Sequence, residues 1–146
     1  MKRLILAISA VALASSAAFA DPIADRKALM KERGGLVGGQ LAPIAKGEKP
    51  FDAAAVLTAL QGLAANGEKF DVDALFPAGS ETGDTKASPK IWEDMAGFKA
   101  AADKYKADVA AAVAAPPQDL DTFKAQFGTI AANCGGCHQT YRLPQS

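Results

Sequence analysis

The sequence predicts an all-α protein, an antiparallel four-helix bundle, and three observations support this prediction. Alanine is abundant and runs of β-branched residues do not occur, so signals for strands are nearly absent. Apolar residues recur at spacings of three and four, the period of a helix with one buried face. Linkers with proline or glycine divide the chain into four such segments, mostly by short links, as in a helical bundle.

The first helix is expected from about Pro22 to Lys46. Its apolar face repeats every seven residues, at Ile23, Met30, Val37 and Ile44. Glycines at positions 34, 35, 38 and 39 interrupt the pattern. Each costs a helix about 1 kcal/mol relative to alanine, so we expect the helix to be loosened or bent there.

The second helix is expected to begin after an N-cap at Asp52 and to run through Asn66, with Gly67 past its end. Residues 67–88 form the longest irregular stretch. Within it, the sequence Leu75-Phe76-Pro77 is expected to pack as a small apolar plug against the bundle.

The third helix is expected to begin with Ser88 as N-cap and Pro89 as first helical residue, and to end at Pro116-Pro117. Asp119 or Asp121 is expected to cap the fourth. The apolar stripe of this last helix alternates spacings of three and four without a break, at Leu120, Phe123, Phe127, Ile130, Cys134, Cys137 and Tyr141. Both cysteines therefore continue its buried face.

The chain's two cysteines and single histidine stand together near its end, as Cys134-Gly135-Gly136-Cys137-His138. This C-x-x-C-H spacing indicates covalent attachment of a c-type haem. On a helix the three side chains share one face, so the thiols can form thioethers with the vinyl groups while the imidazole reaches the iron. The motif predicts one haem c, with iron bound by His138.

Other kinds of C-x-x-C site fit this chain less well. A thioredoxin-type redox site would follow a strand in an α/β chain, whereas this motif closes a helical one. A structural zinc site needs four ligands, and the chain holds three candidates of the usual sulfur and nitrogen types. A redox dithiol or a plain disulfide, which leaves the histidine unexplained, remains the alternative.

Candidates for the other side of the iron are Met30 and Met95. Met95 lies mid-stripe in the third helix and is expected to fill the core. Met30 lies on the heptad face of the first helix, with Gly34 one turn beyond it, and is the candidate distal ligand; a core methionine without iron contact is the alternative. Arg26, one turn before Met30, is a candidate for pairing with a haem propionate, or an ordinary solvated charge, and Arg142 for bordering the haem.

The sequence predicts a secretory signal peptide at residues 1–20, which leaves a domain at 21–146. Lys2 and Arg3 precede a short uncharged run that ends in Ala18-Phe19-Ala20. The run is too short for a comfortable membrane span. The remaining 126 residues carry 14 basic and 16 acidic side chains, which argues against a nucleic-acid binder.

The chain resembles the cytochrome c-prime family, the class II c-type cytochromes. The resemblance rests on Arg26-x-x-x-Met30, on Pro89-Lys90-Ile91-Trp92, and on the C-x-x-C-H motif followed by x-x-Tyr141-Arg142. The segments 44–52 and 75–77 also look like the family. The C-terminal position of the motif is what points to class II.

The resemblance implies a periplasmic four-helix bundle with one haem, in which the Met30 position faces the distal side. Low-spin members of the c-556 type use a methionine there as sixth ligand and transfer electrons. High-spin members leave the iron five-coordinate and bind nitric oxide or carbon monoxide. The sequence around Met30-Lys31 and at 46–50 looks closer to the low-spin branch, and Gly135 stands where many high-spin members have lysine.

The leading hypothesis is therefore a periplasmic electron carrier, not an enzyme, with iron ligated by His138 and Met30. We expect its partners to be periplasmic redox proteins, with no nucleic acid and no membrane span, and the protein to be a monomer or a homodimer. The alternatives are a gas-binding protein with an open iron and a haem-free thiol redox protein.

Overall fold

A computed structural model describes residues 21–144, so the proposed signal peptide at 1–20 lies outside the described residues. In chain order the elements are α1 (Pro22–Gly34), a π-helical segment (Gly35–Leu41), α2 (Ala42–Ala45), α3 (Ala53–Glu68), α4 (Val72–Leu75), α5 (Lys90–Glu93), α6 (Met95–Ala114) and α7 (Leu120–Tyr141). Between residues 21 and 144 the backbone forms no strand beyond one isolated bridge. The predicted four-helix bundle is confirmed: its long members are α1 with its continuation, α3, α6 and α7.

The first helix passes through its glycines by widening into a π-helix. Asp21 caps α1, since its carboxylate accepts hydrogen bonds from the backbone N–H groups of Ile23 and Ala24. At the end of the π-helical segment the N–H of Ala42 donates to the carbonyl of Val37, five residues earlier. This wider turn is the form that the predicted loosening takes, and such turns are frequent at functional sites.

Two predicted boundaries are wrong around α3 and the loop after it. Asp52 caps α3 as predicted, through a hydrogen bond from the N–H of Ala55. The helix then continues past Gly67 to Glu68, and the buried Gly67 packs against α6, where an added Cβ would lie 3.6 Å from the Lys106 side chain and 3.7 Å from the Tyr105 ring. The stretch predicted as irregular contains α4, capped by Asp71. Leu75 and Phe76 are buried as predicted, whereas Pro77 is exposed.

The predicted third helix is divided in two. Pro89 is the N-cap of α5 rather than its first helical residue, and α5 ends at Glu93. Asp94 then leaves helical geometry, with φ −134° and ψ 55°, and its carboxylate accepts the N–H of Gly97 to begin α6. The fourth helix is capped by Asp119, one of the two predicted candidates.

The helices bury two apolar clusters. The first joins α3 to α6, α7 and the π-helical segment, with Val56, Leu63 and Phe123 at its centre. The second gathers aromatic side chains from the 70–76 region, α6 and the end of α7, including Phe70, Phe98 and Tyr141. No helix between residues 21 and 144 is long and apolar enough to cross a bilayer.

A short backbone clamp holds the end of α7 against the segment before α5. The N–H of Ser88 donates to the carbonyl of Tyr141 at 3.0 Å, and the N–H of Leu143 donates to the carbonyl of Lys86 at 2.8 Å. Ala87 and Arg142 form the isolated antiparallel bridge between these bonds. The clamp fixes the end of the helix that carries the cysteine motif.

Candidate functional site

A cavity of about 900 Å³ lies between the first helix and α7, a volume typical of ligand sites. Its wall is largely apolar, with aromatic side chains from the 70–76 region and α6. All six residues predicted from the sequence line this one cavity: Arg26, Met30, Cys134, Cys137, His138 and Arg142. Residues up to 116 positions apart in the chain are thus brought together.

The two cysteines lie on the inner face of α7, as the stripe predicted. Both are half-buried free thiols, and the Cys134 Sγ lies 3.8 Å from the carbonyl oxygen of Ile130, one turn earlier. Phe123, Ile130 and Tyr141, on the same stripe, are buried. The thiols therefore face the cavity while Gly135 and Gly136 between them lie exposed.

The surroundings of the thiols do not suit nucleophilic redox chemistry. Burial raises the pKa of both Cys134 and Cys137, and the positive charge of Arg33 only partly opposes this rise. A redox-active dithiol needs a thiolate, and so a lowered pKa, at neutral pH. The haem-free dithiol alternative is therefore disfavoured.

His138 lies at the exposed end of the motif, one residue after Cys137. Partial burial lowers its pKa, and the positive charges of Arg142 and Arg33 lower it further. These effects favour the neutral imidazole, which is the form that ligates metals.

Arg26 is buried, with 4% of its surface exposed. Its Nη1 donates to the Leu75 carbonyl and the Ser80 hydroxyl, and its Nη2 donates to the Ser80 carbonyl and the Thr85 hydroxyl, at 2.8–3.3 Å. Its guanidinium carbon also lies 5.0 Å from the ring centre of Phe76. Arg26 is thus not a solvated charge: it holds the 75–85 loop beside the cavity.

The wall around Met30 leaves room for a flat group. Met30, Gly34 and Gly38 line the cavity from consecutive turns of the first helix. A Cβ added at either glycine would meet no protein atom within 4 Å, beyond its neighbours and its own helix backbone. Since the thiols and the imidazole face the same space, the donor set, the cavity volume and this open wall fit a covalently attached haem.

Basic side chains gather where the cavity meets solvent. Lys27, Lys31 and Lys86 line the cavity and are exposed, with Arg142 beside them. Lys27 forms an ion pair with Asp84. Such a rim suits the two carboxylates of a haem, since charge-assisted hydrogen bonds to carboxylates are among the stronger ones.

Arg33 and Tyr105 are partly or fully buried polar residues of the wall that sequence reasoning did not name as site residues. The Tyr105 hydroxyl and the Nη2 of Arg33 are both buried and have no hydrogen-bond partner in the protein. The guanidinium carbon of Arg33 lies 4.1 Å from the centre of the Tyr105 ring. A signal for Arg33 did exist, because it stands seven residues after Arg26 and three after Met30, on one helical face.

Similarity to known proteins identifies the family of this chain. The family model for cytochrome c′ matches residues 21–142. The chain belongs to the cytochrome c′ family. Cytochrome c-556 of Agrobacterium fabrum (strain C58 / ATCC 33970) is 46% identical over 124 residues, which cover 85% of this chain and 82% of that protein. Cytochrome c′ of Rhodopseudomonas palustris (strain ATCC BAA-98 / CGA009) is 42% identical over 129 residues, covering 86% and 84%.

Solved structures of cytochromes c′ have the same fold as this chain. The chain superposes on cytochrome c′ from Rhodopseudomonas palustris with a TM-score of 0.79 and 41% identity, covering 87% of this chain and 99% of that one. Cytochrome c′ family proteins carry covalently attached haem c with its iron, and this chain holds the two cysteines for it. The predictions of family, fold and cofactor are therefore confirmed.

Proposed function

We propose that this cytochrome is a periplasmic electron carrier in which Cys134 and Cys137 hold haem c and His138 and Met30 ligate its iron. The observation that carries the proposal is that Met30 on α1 and His138 on α7 line the same cavity as the two thiols. When bound, the haem iron supplies a one-electron couple between its ferric and ferrous states. A thioether opposite an imidazole is a ligand pair of electron-transfer cytochromes.

The remaining wall residues have supporting roles in this proposal. Phe70, Phe98 and Ile91 keep water from the interior of the site, which strengthens every electrostatic effect there. Arg26 orders the loop at the cavity, where its two Nη atoms are already bonded, and Arg142 with the lysines of the rim would pair with the propionates. No side chain in this arrangement is assigned to catalysis.

Export to the periplasm is part of the same proposal. The family match begins at residue 21, where the predicted cleavage would leave the new terminus. Asp21 is also the N-cap of α1, so a chain beginning there keeps its first helix intact. N-terminal sequencing of the purified holoprotein should find Asp21 first; a protein that retains residues 1–20 would contradict cleavage.

The spin state of the purified holoprotein tests the ligation. We expect a low-spin ferric spectrum for the natural protein and a high-spin one for Met30→Ala, because the variant loses its sixth ligand. Met95→Ala is the matched control, since Met95 is also half-buried in the second cluster but does not line the cavity. Met30 does not ligate iron if the natural protein is high-spin, or if both variants keep the natural spectrum.

A second function is favoured by one relative. A cytochrome c prime variant from Alcaligenes xylosoxidans, 30% identical with a TM-score of 0.73, was solved as a nitric oxide complex. This chain would bind such gases if Met30 were only part of the wall. Addition of carbon monoxide to the reduced natural protein separates the two functions. The absorption spectrum of an electron carrier with Met30 bound to the iron should change little, whereas that of a gas binder should change readily.

A further inference from the structure

We infer that Arg33 places a half-buried positive charge beside the haem attachment site and thereby raises the midpoint potential of the cytochrome. The inference rests on the proposed function only in placing the haem in this cavity, and it holds whether or not Met30 ligates the iron. Arg33 lines the cavity with the two thiols, on the same helix as Met30.

The contacts of Arg33 hold the guanidinium in one place. Its Nε donates to the Oδ1 of Asn66 at 2.9 Å, and Asn66 is fully buried. Its guanidinium carbon lies over two aromatic rings, 5.0 Å from the centre of Phe70 and 4.1 Å from that of Tyr105. Its Nη2 is buried and has no protein partner. The charge is therefore fixed at the wall of the cavity rather than extended into solvent.

The charge is only partly balanced by the protein. Burial lowers the pKa of Arg33, whereas Tyr105, the two thiols and Glu32 act in the opposite direction, and an arginine keeps its proton in a protein. Glu32, the nearby carboxylate, is exposed and is linked to Arg33 through Asn66, whose Nδ2 donates to it at 3.0 Å. This carboxylate thus balances the guanidinium charge only in part, because it lies in solvent and is linked to Arg33 through Asn66.

Reduction of the cytochrome adds one electron from an external one-electron donor, with no bond broken and no proton moved. A fixed positive charge nearby favours the state with the added electron. In a poorly solvated interior this effect is larger, and less screened by salt, than that of a surface lysine.

Redox titration of the holoprotein with small mediators tests the inference. Arg33→Gln removes the charge, and we expect its ferrous-to-ferric equilibrium constant to fall about tenfold, which corresponds to about 59 mV for a one-electron couple. Arg33→Lys keeps a charge and should retain most of the natural potential. Lys124→Gln, at an exposed position on α7, is the matched control and should shift the potential little.

The potential at high ionic strength and the spin state of each variant distinguish an effect of the Arg33 charge from other causes of a shift. The Arg33→Gln shift should largely persist at high ionic strength, because salt screens a partly buried charge much less than an exposed one. An unchanged potential, a shift equal to that of Lys124→Gln, or a shift that high salt removes would overturn the inference. Thermal melting checks that the variants fold. If Arg33→Gln does not fold, Arg33→Leu takes its place. The spin state of each variant reports Met30 ligation independently.

Discussion

The phenol of Tyr141 donates a hydrogen bond to the Oδ2 of Asp94 at 2.9 Å. This bond joins the end of α7 to the cap that begins α6, because the Oδ1 of the same carboxylate accepts the N–H of Gly97 at 3.1 Å. Tyr141 stands three residues after His138, and its ring packs edge-on against Phe98 at 5.1 Å. The helix with the haem motif is thereby fixed to the aromatic wall of the cavity.

Gly97→Ala should break this junction. An added Cβ would lie 2.5 Å from the Asp94 Oδ2 and 2.6 Å from the Tyr141 hydroxyl, closer than nonbonded atoms can approach. Since both groups are held, we expect the free energy of unfolding to fall by about 1–3 kcal/mol, as in other overpacked sites. Urea unfolding measures it, with Gly128→Ala in α7 as control, where an added Cβ meets no atom within 4 Å. Equal effects would contradict the steric argument.

The contribution of Asp94 should depend on pH. The hydrogen bonds from Tyr141 and from the Gly97 amide lower the pKa of Asp94 below its ordinary value of 3.8. The folded protein thus favours the ionised form, so its stabilising effect is present above 3.8 and is lost as the pH falls through the lowered pKa. Thermal melting should show Asp94→Asn below the natural protein at pH 7, with a gap that narrows in acid. A gap unchanged down to pH 3 would speak against this linkage.

Asn66→Ala should destabilise the bundle strongly for a single polar side chain. The amide accepts a hydrogen bond from Arg33 and donates to Glu32 and to the Leu29 carbonyl. Its loss leaves the Arg33 Nε and the Leu29 carbonyl, both partly buried, without this partner, at a cost of about 1–3 kcal/mol. Thr58→Ala, at an exposed position on the same helix, should change the unfolding free energy by no more than about 0.5 kcal/mol. Chemical denaturation compares them, and similar values would refute the bridging role.

Arg26→Met should unfold at lower denaturant concentration than the natural protein. The change keeps much of the side-chain stem but removes four hydrogen bonds from a charged group, each of which contributes about 1.5–3 kcal/mol. We expect a loss of at least about 3 kcal/mol, and little rescue by Arg26→Lys, because one ammonium cannot reproduce the planar fork. Lys27→Met, at the exposed neighbour, is the control. Full stability in Arg26→Lys would show that charge alone suffices.

The helices could be predicted because burial of one helix face imposes the period of three and four that the sequence displays. The break at Asp94 could not, since Ile91, Met95 and Phe98 continue that period across it. The Asp94 carboxylate that caps α6 after the break is also held by Tyr141, a residue 47 positions away. The end of α3 was also misjudged, since Gly67, which was expected to follow the helix, lies inside it and beside Tyr105 of another helix.

The site was predictable where chemistry dictates residue type and spacing. The C-x-x-C-H motif and Met30 were found in this way, and the structure brings them to one cavity. Arg33 was missed because a charged residue on a helix is usually solvated, and its burial depends on Asn66 and Tyr105 from two other helices. Arg26 was found for its position, but its contacts with the 75–85 loop are long-range and have no signal in the sequence.

The π-helical segment keeps the two parts of the first helix in phase. An α-helix turns by about 100° per residue, and a π-helical turn uses one more residue for about the same rotation. A chain one residue shorter between 35 and 41 would therefore wind as a regular α-helix with Met30 and Arg33 still on the cavity wall. Such a chain loses the wider turn beside Gly38, so a one-residue gap here between two family members alters the wall next to the site without rotating the residues that precede it.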